Sequence, residues 1–312
     1  MPHSTPLITT IVTAFALAWL FAAVAQRLKL PPIVGYLLAG IVIGPFTPGY
    51  VADQELASQL AEIGVILLMF GVGLHFSLED LLAVKRIAVP GAIAQIACAA
   101  LLGIGLAAWL AWPLAAGLVF GLALSVASTV VLLRALQERR LIETERGRIA
   151  VGWLIVEDIV MVLTLVLLPV AAGLLEETGQ DAASPGEIAL LLGLTVAKIA
   201  AFVALMLLVG KRVIPWILHS MAHTGSRELF RLSVLVIALG TAFAAAELFG
   251  VSFALGAFFA GMILSESKLS QQAATETLPL RDAFAVLFFV SVGMLVDPMI
   301  VVREPVPVLV TV

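Results

Sequence analysis

Apolar residues run in blocks of roughly twenty along this chain, and the charged residues gather between the blocks. A hydrocarbon layer of ~30 Å needs about 20 residues of helix to cross it. The blocks predict ten spans, at about 7–26, 33–47, 57–75, 87–109, 113–135, 149–174, 188–210, 229–249, 251–266 and 282–297. The run Val306–Val312 reads as the start of another, so the chain is expected to stop inside a helix and to be part of a longer protein. The first block follows Met1-Pro-His-Ser-Thr-Pro6, which holds no Lys or Arg. That block is also too long for the apolar core of a signal peptide, so it reads as a true span.

Composition narrows the class further. Of 312 residues, 62% are hydrophobic and 12% charged, against about 45–50% and about 25% in a soluble domain. This excludes a soluble enzyme and predicts an all-α polytopic membrane protein. The single cysteine, Cys98, lies in an apolar run. A disulfide within the chain and a cysteine metal site are thereby excluded.

The placement of charge orients the spans. Fifteen of the 17 Lys and Arg residues follow odd-numbered spans, in clusters such as Arg27 with Lys29, Lys85 with Arg86, Arg134 to Arg148, Lys211 to Arg231, and Lys268 with Arg281. The even-side connections carry Asp53, Glu55, Glu176, Glu177, Asp181 and Glu187, with Arg303 as their basic residue. The positive-inside rule then puts the N-terminus outside and the basic loops in the cytoplasm.

Two stretches of the sequence resemble each other. Val34-Gly-Tyr-Leu-Leu-Ala-Gly-Ile-Val-Ile-Gly44, followed by Leu67-Leu-Met-Phe-Gly-Val-Gly-Leu74, matches Val251-Ser-Phe-Ala-Leu-Gly-Ala-Phe-Phe-Ala-Gly-Met-Ile-Leu264, followed by Leu287-Phe-Phe-Val-Ser-Val-Gly-Met294. Spans 2 and 3 would pair with spans 9 and 10, seven spans away and so upside down. Inverted repeats suit alternating access, with the ion site near the midplane at broken helices. Chance likeness between small-residue helices is the competing reading.

The candidate chemistry is carried by Glu157-Asp158, in the middle of the sixth span. A charged side chain at the bilayer centre costs on the order of 2.5–3.5 kcal/mol on insertion scales. Such a pair usually faces a watery cavity and handles protons or cations. Competition of the two for one carboxylate is itself an exchange mechanism. A structural pair buried against a basic partner is the alternative, and Lys198, within the seventh span, is the candidate partner. Lys198 could equally snorkel or lie at a dimer interface. Ser125, Ser128 and Thr129 fall mid-membrane in the fifth span among small residues. Their oxygens suit a hard cation, or serve ordinary helix packing. Gln95 reads as a helix–helix hydrogen bond, and Glu62 and Glu247 as solvated span ends. His219 and His223 have metal-ligand spacing without a third ligand, and read as a solvated amphipathic loop. No phosphate loop, dinucleotide fingerprint or nucleophile elbow occurs, and the basic residues are too dispersed for a nucleic-acid footprint. The sequence therefore calls for no cofactor, no enzyme activity, and no metal beyond a transported monovalent cation.

Val34-Gly-Tyr-Leu-Leu-Ala-Gly40, Ser128-Thr-Val-Val131, Glu138-Arg-Arg-Leu-Ile142 with Gly147-Arg148, Glu157-Asp158, Phe253-Ala-Leu-Gly-Ala-Phe-Phe-Ala-Gly261 and Phe288-Phe-Val-Ser-Val-Gly-Met294 together resemble the Kef-type branch of the monovalent cation:proton antiporter-2 family. The likeness covers nearly the whole chain, residues 1–312, as one transmembrane domain. It implies a thirteen-helix inverted-repeat antiporter fold with two broken crossing helices, assembled as a homodimer in the bacterial inner membrane. It implies that Asp158 is the proton- and cation-binding carboxylate, exchanging K+, or Na+, for protons in an elevator-like motion. Glu157 stands where potassium-efflux members often have Gln. Span 5 would be the first crossing helix, with Ser128 and Thr129 beside the cation. The second crossing helix and the cytosolic nucleotide-binding domain are not in these residues, so this chain alone is expected not to transport. A gated efflux channel on the same fold, or an ion- or pH-sensing membrane protein, remains an alternative.

Overall fold

A computed structural model describes residues 6–76, 78–175, 185–267, 269–303 and 305–311, and within them the chain is helical with no strand. The helices are α1 (Pro6–Arg27), α2 (Pro32–Ile43), α3 (Gln54–Gly73), α4 (Leu78–Trp109), α5 (Leu114–Ser125), α6 (Thr129–Glu138), α7 (Glu145–Leu175), α8 (Pro185–Leu205), α9 (Lys211–His223), α10 (Arg227–Phe249), α11 (Phe253–Ser265), α12 (Ser270–Met294), α13 (Ile300–Arg303) and α14 (Pro305–Thr311). A π-helical turn, Met206–Gly210, joins α8 to α9 without a break. All ten predicted spans are present as helix. The fifth is divided into α5 and α6. Among the described residues, six helices are long and apolar enough to cross a membrane, and α2, α5 and α11 are shorter apolar helices. Lys268, Glu176, Glu177 and Asp181 of the charge pattern lie outside the described residues, as does Val312 at the end of the last apolar run.

The differences from the sequence reading lie at polar ends. α4 starts at Leu78 and α12 at Ser270, well before the apolar blocks do. Hydropathy registers only the part of a helix within the apolar layer, whereas a helix continues until its backbone is capped. Residues 211–223, read as a loop, are helical. His219 and His223 therefore lie one turn apart with their rings edge to face, centroids 4.2 Å from each other. The Nδ1 of His223 lies 2.8 Å from the His219 carbonyl oxygen. No group of three His, Cys, Asp or Glu able to hold a metal occurs among the described residues.

Local chemistry explains the helix ends. α10 stops at Gly250, whose φ of 67° is open to glycine at little cost. Two residues on, Ser252 caps α11 by accepting from the Leu255 N–H at 3.2 Å. The faces of α10 are sorted by size. Ala238, Ala242 and Ala245 are fully buried, whereas Val236 and Phe243 are about 60% exposed. Small residues inside and large apolar ones outside is the arrangement of a helix that packs closely on its neighbours and shows its bulk to lipid.

The chain divides into two compact units. One holds Met1–Leu68 and Glu276–Val312, the other Met69–Thr275. The first has a core of small and medium side chains from α1, α2, α3 and α12, among them Ala14, Ala18, Ala39, Ile43, Leu287 and Val290. Here α2 and α12 touch backbone to backbone. A Cβ on Gly40 would overlap the Val290 carbonyl oxygen, and one on Gly293 would overlap that of Leu37. In the second unit α3 and α11 meet the same way. A Cβ on Gly73 would overlap the Phe258 carbonyl oxygen, and one on Gly261 that of Phe70. Gly261→Ala should therefore destabilise the protein by about 1–3 kcal/mol. Gly240, on α10 with open space around it, should accept Ala with no loss or a gain of about 0.5–1 kcal/mol. Thermal unfolding in detergent compares the two, and equal midpoints would contradict the packing.

Candidate functional site

The site lies within the second unit, where span 5 breaks. α5 ends at Ser125, Val126 takes an extended backbone, and α6 starts at Thr129. A helix C-terminus presents unpaired carbonyls and a helix N-terminus unpaired N–H groups, with opposite partial charges. The break brings one of each together over three residues. Each finds a partner from a neighbouring helix. On the carbonyl side, Gln95 of α4 donates from Nε2 to the Ser125 carbonyl oxygen at 2.8 Å. On the amide side, the Ala127 N–H donates to Glu157 Oε2 of α7 at 3.2 Å. A carboxylate at a helix N-terminus is the electrostatically favoured arrangement.

Glu157 is itself fixed from behind. The indole Nε1–H of Trp153, one turn earlier on α7, donates to Glu157 Oε1 at 3.1 Å. The Trp153 ring rests against α4 at Gly91, where a Cβ would collide with it. Glu157 is 2% exposed with both oxygens engaged. Asp158, next on α7, points about 100° away round the helix. It is half-buried and makes no hydrogen bond or ion pair among the described residues. Two adjacent carboxylates are thus placed differently, one tied into the backbone of the break and the other unengaged.

The predicted hydroxyls are all at the break, in different states. Ser125 is fully buried and its Oγ–H donates to the Leu122 carbonyl at 2.7 Å. Ser128 caps α6, accepting from the Val131 N–H at 3.4 Å. Thr129 is half-buried at the first position of α6. Lys198 does not join them. It is exposed on α8 and forms no ion pair with Glu157 or Asp158. Glu62 and Glu247 are also exposed. Gln95 makes the interhelical bond expected of it. Trp153 and the Ala127 N–H were not foreseen. The available signal for Trp153 was its i,i+4 spacing to Glu157, which places both on one face of a helix.

The chain matches the family described as sodium/hydrogen exchanger, transmembrane, over residues 11–312. The chain belongs to the sodium/hydrogen exchanger family. Among exchanger relatives it is 65% identical over 311 residues to YbaL of Escherichia coli (strain K12), covering 100% of this chain and 55% of that protein. It is 34% identical over 292 residues to K(+) efflux antiporter 4 of Arabidopsis thaliana, covering 93% of this chain and 47% of the relative. It is 32% identical over 291 residues to the glutathione-regulated potassium-efflux system protein KefC of Klebsiella pneumoniae, covering 92% and 45%. The chain thus spans about half the length of these relatives. The solved structure of the sodium proton antiporter MjNhaP1 from Methanocaldococcus jannaschii at pH 8 resembles it with a TM-score of 0.57 at 18% identity, over 97% of this chain and 74% of the other. The exchanger fold, polytopic and all-helical, follows from that likeness, and the Kef-type resemblance read from the motifs holds.

Within this family assignment the hydrogen-bond geometry allows a test of the anchor. Trp153→Phe deletes the donor to Glu157 together with the outer ring edge, Cε3, Cζ3 and Cη2, that faces Gly91. A hydrogen bond to a charged group contributes about 1.5–3 kcal/mol, so the variant should unfold at a lower temperature in detergent. An unchanged midpoint would mean that neither the bond to Glu157 nor that ring edge contributes to stability.

Proposed function

We propose that the protein carrying this chain exchanges a monovalent cation for protons across the bacterial inner membrane by alternating access, with K+ favoured and Na+ the other candidate. The observation that carries this reading is the unengaged carboxylate of Asp158 beside a helix break anchored by Glu157. A membrane protein keeps an ionisable group in a span at a cost, so the group is retained for its chemistry. Asp158 is the carboxylate for which cation and proton compete. The hydroxyl oxygens of Ser125, Ser128 and Thr129 surround the break as neutral neighbours for the ion. Names of relatives at 32–34% identity refer to potassium efflux, which supports K+ over Na+.

The same reading puts the N-terminus outside and the basic loops in the cytoplasm, and makes the protein a homodimer with lipid around it. It also includes an inverted repeat of spans 2 and 3 with spans 9 and 10. The glycine contacts support that repeat. Gly40 corresponds to Gly261 in the aligned sequences and Gly293 to Gly73. Gly40 meets Val290 and Gly293, while Gly261 meets Phe70 and Gly73, so the two repeats exchange roles.

The test is cation-induced proton flux in proteoliposomes of the whole protein, titrated with KCl and NaCl. Saturable flux of protons against K+ or Na+ supports exchange. Cation movement without protons would favour a channel, and no flux with any alkali cation would leave a sensing role.

A further inference from the structure

The Ser125 carbonyl can only accept, so the Gln95 group facing it at 2.8 Å is the NH2. That assigns the amide's orientation and leaves Oε1 as an acceptor. Gln95 Oε1 is buried and has no hydrogen-bond partner among the described residues. An amide oxygen buried without a donor is unfavourable, and such atoms call for an explanation. Its place supplies one. Gln95 is bonded to Ser125 and Glu157 to Ala127, two residues apart in the same break. Neutral carbonyl-type oxygens are what replaces the water shell of an alkali cation in a membrane. We propose that Gln95 is a cation ligand, its Oε1 giving a neutral oxygen to the transported monovalent cation at the α5–α6 break while its Nε2 holds the Ser125 carbonyl.

This rests on the exchange reading above, and the experiment separates the two. The whole protein is measured in proteoliposomes with KCl, NaCl and RbCl. In detergent, Tm is followed against KCl at constant ionic strength. Gln95→Met keeps the volume and removes both polar atoms. Gln95→Glu keeps an oxygen and, when ionised, adds charge and no longer donates to Ser125. A ligand role predicts that Gln95→Met raises the half-saturating K+ concentration about tenfold and loses most of the K+-dependent Tm shift, with maximal rate much less affected. It predicts that Gln95→Glu lowers the half-saturating concentration. A purely structural Gln95 would leave half-saturation unchanged in both variants and lower the maximal rate to the extent that each loses the bond to Ser125. That result would overturn the proposal. Should Gln95→Met fail to fold, Gln95→Glu decides, with unchanged or raised half-saturation counting against it. If the wild type shows no flux yet a K+-dependent Tm shift that Gln95→Met abolishes, the ligand stands and exchange falls. If the wild type shows neither flux nor shift, both fall.

Discussion

Replacing Asp158 with Asn should reduce cation-dependent proton flux by about two orders of magnitude or more, to the level of empty vesicles. The amide has nearly the volume of the carboxyl but carries neither its charge nor its proton at working pH. Proton transfer by a positioned side chain is commonly worth about 10²–10⁴ in rate, and losing the competing carboxylate also removes the coupling. Among the described residues Asp158 makes no hydrogen bond or ion pair whose loss would unfold its surroundings. The variant should therefore reconstitute as well as wild type and keep its Tm in detergent. Flux above half the wild-type value in Asp158→Asn would remove Asp158 from the centre of the mechanism.

Glu157→Leu should give the second large effect, by another route. The substitution leaves the Ala127 N–H and the Trp153 indole N–H without their acceptor. Each unpaired donor costs about 1–3 kcal/mol, so together about 2–6 kcal/mol. Removing an ionised group from a span returns on the order of 2.5–3.5 kcal/mol. The two largely offset, and the net change in stability should lie between a gain of about 1.5 and a loss of about 3.5 kcal/mol. What does not cancel is the loss of order at the break. Amide hydrogen exchange in a peptide covering residues 122–131 should rise in Glu157→Leu and stay at the wild-type level in Asp158→Asn. Flux should drop at least about tenfold with the anchor gone. If both variants leave exchange at 122–131 unchanged, Glu157 does not anchor the break.

Particular residues show how far the sequence reaches. The spans were legible because bilayer thickness fixes a length and apolar blocks either meet it or do not. Span 5 was legible as polar and unusual from Ser125, Ser128 and Thr129, and the family resemblance gave it as a broken helix, but neither named the outside donors and acceptors that its two ends need. Its amide partner is a backbone group, and the Ala127 side chain says nothing about it. Lys198 was legible as a charge inside an apolar run, yet hydropathy does not tell which side of a helix faces neighbours, and the structure leaves it exposed on α8. Residues 211–223 looked like a loop because Lys211, Arg212, His219 and His223 mark the end of the apolar span, while the backbone continues as an amphipathic helix through a π-helical turn. Trp153 was missed because tryptophan in a membrane protein reads first as an interfacial residue.

The position of that indole has a practical consequence for optical spectroscopy. The chain has five tryptophans, and Trp19, Trp109, Trp112 and Trp216 are 38–73% exposed. Changing those four to Phe would leave one fluorophore, whose N–H points at Glu157. Its emission maximum and quenching would then follow the charge and hydration of the carboxylate in real time. The break would be observable through a native chromophore, with no label introduced into the membrane.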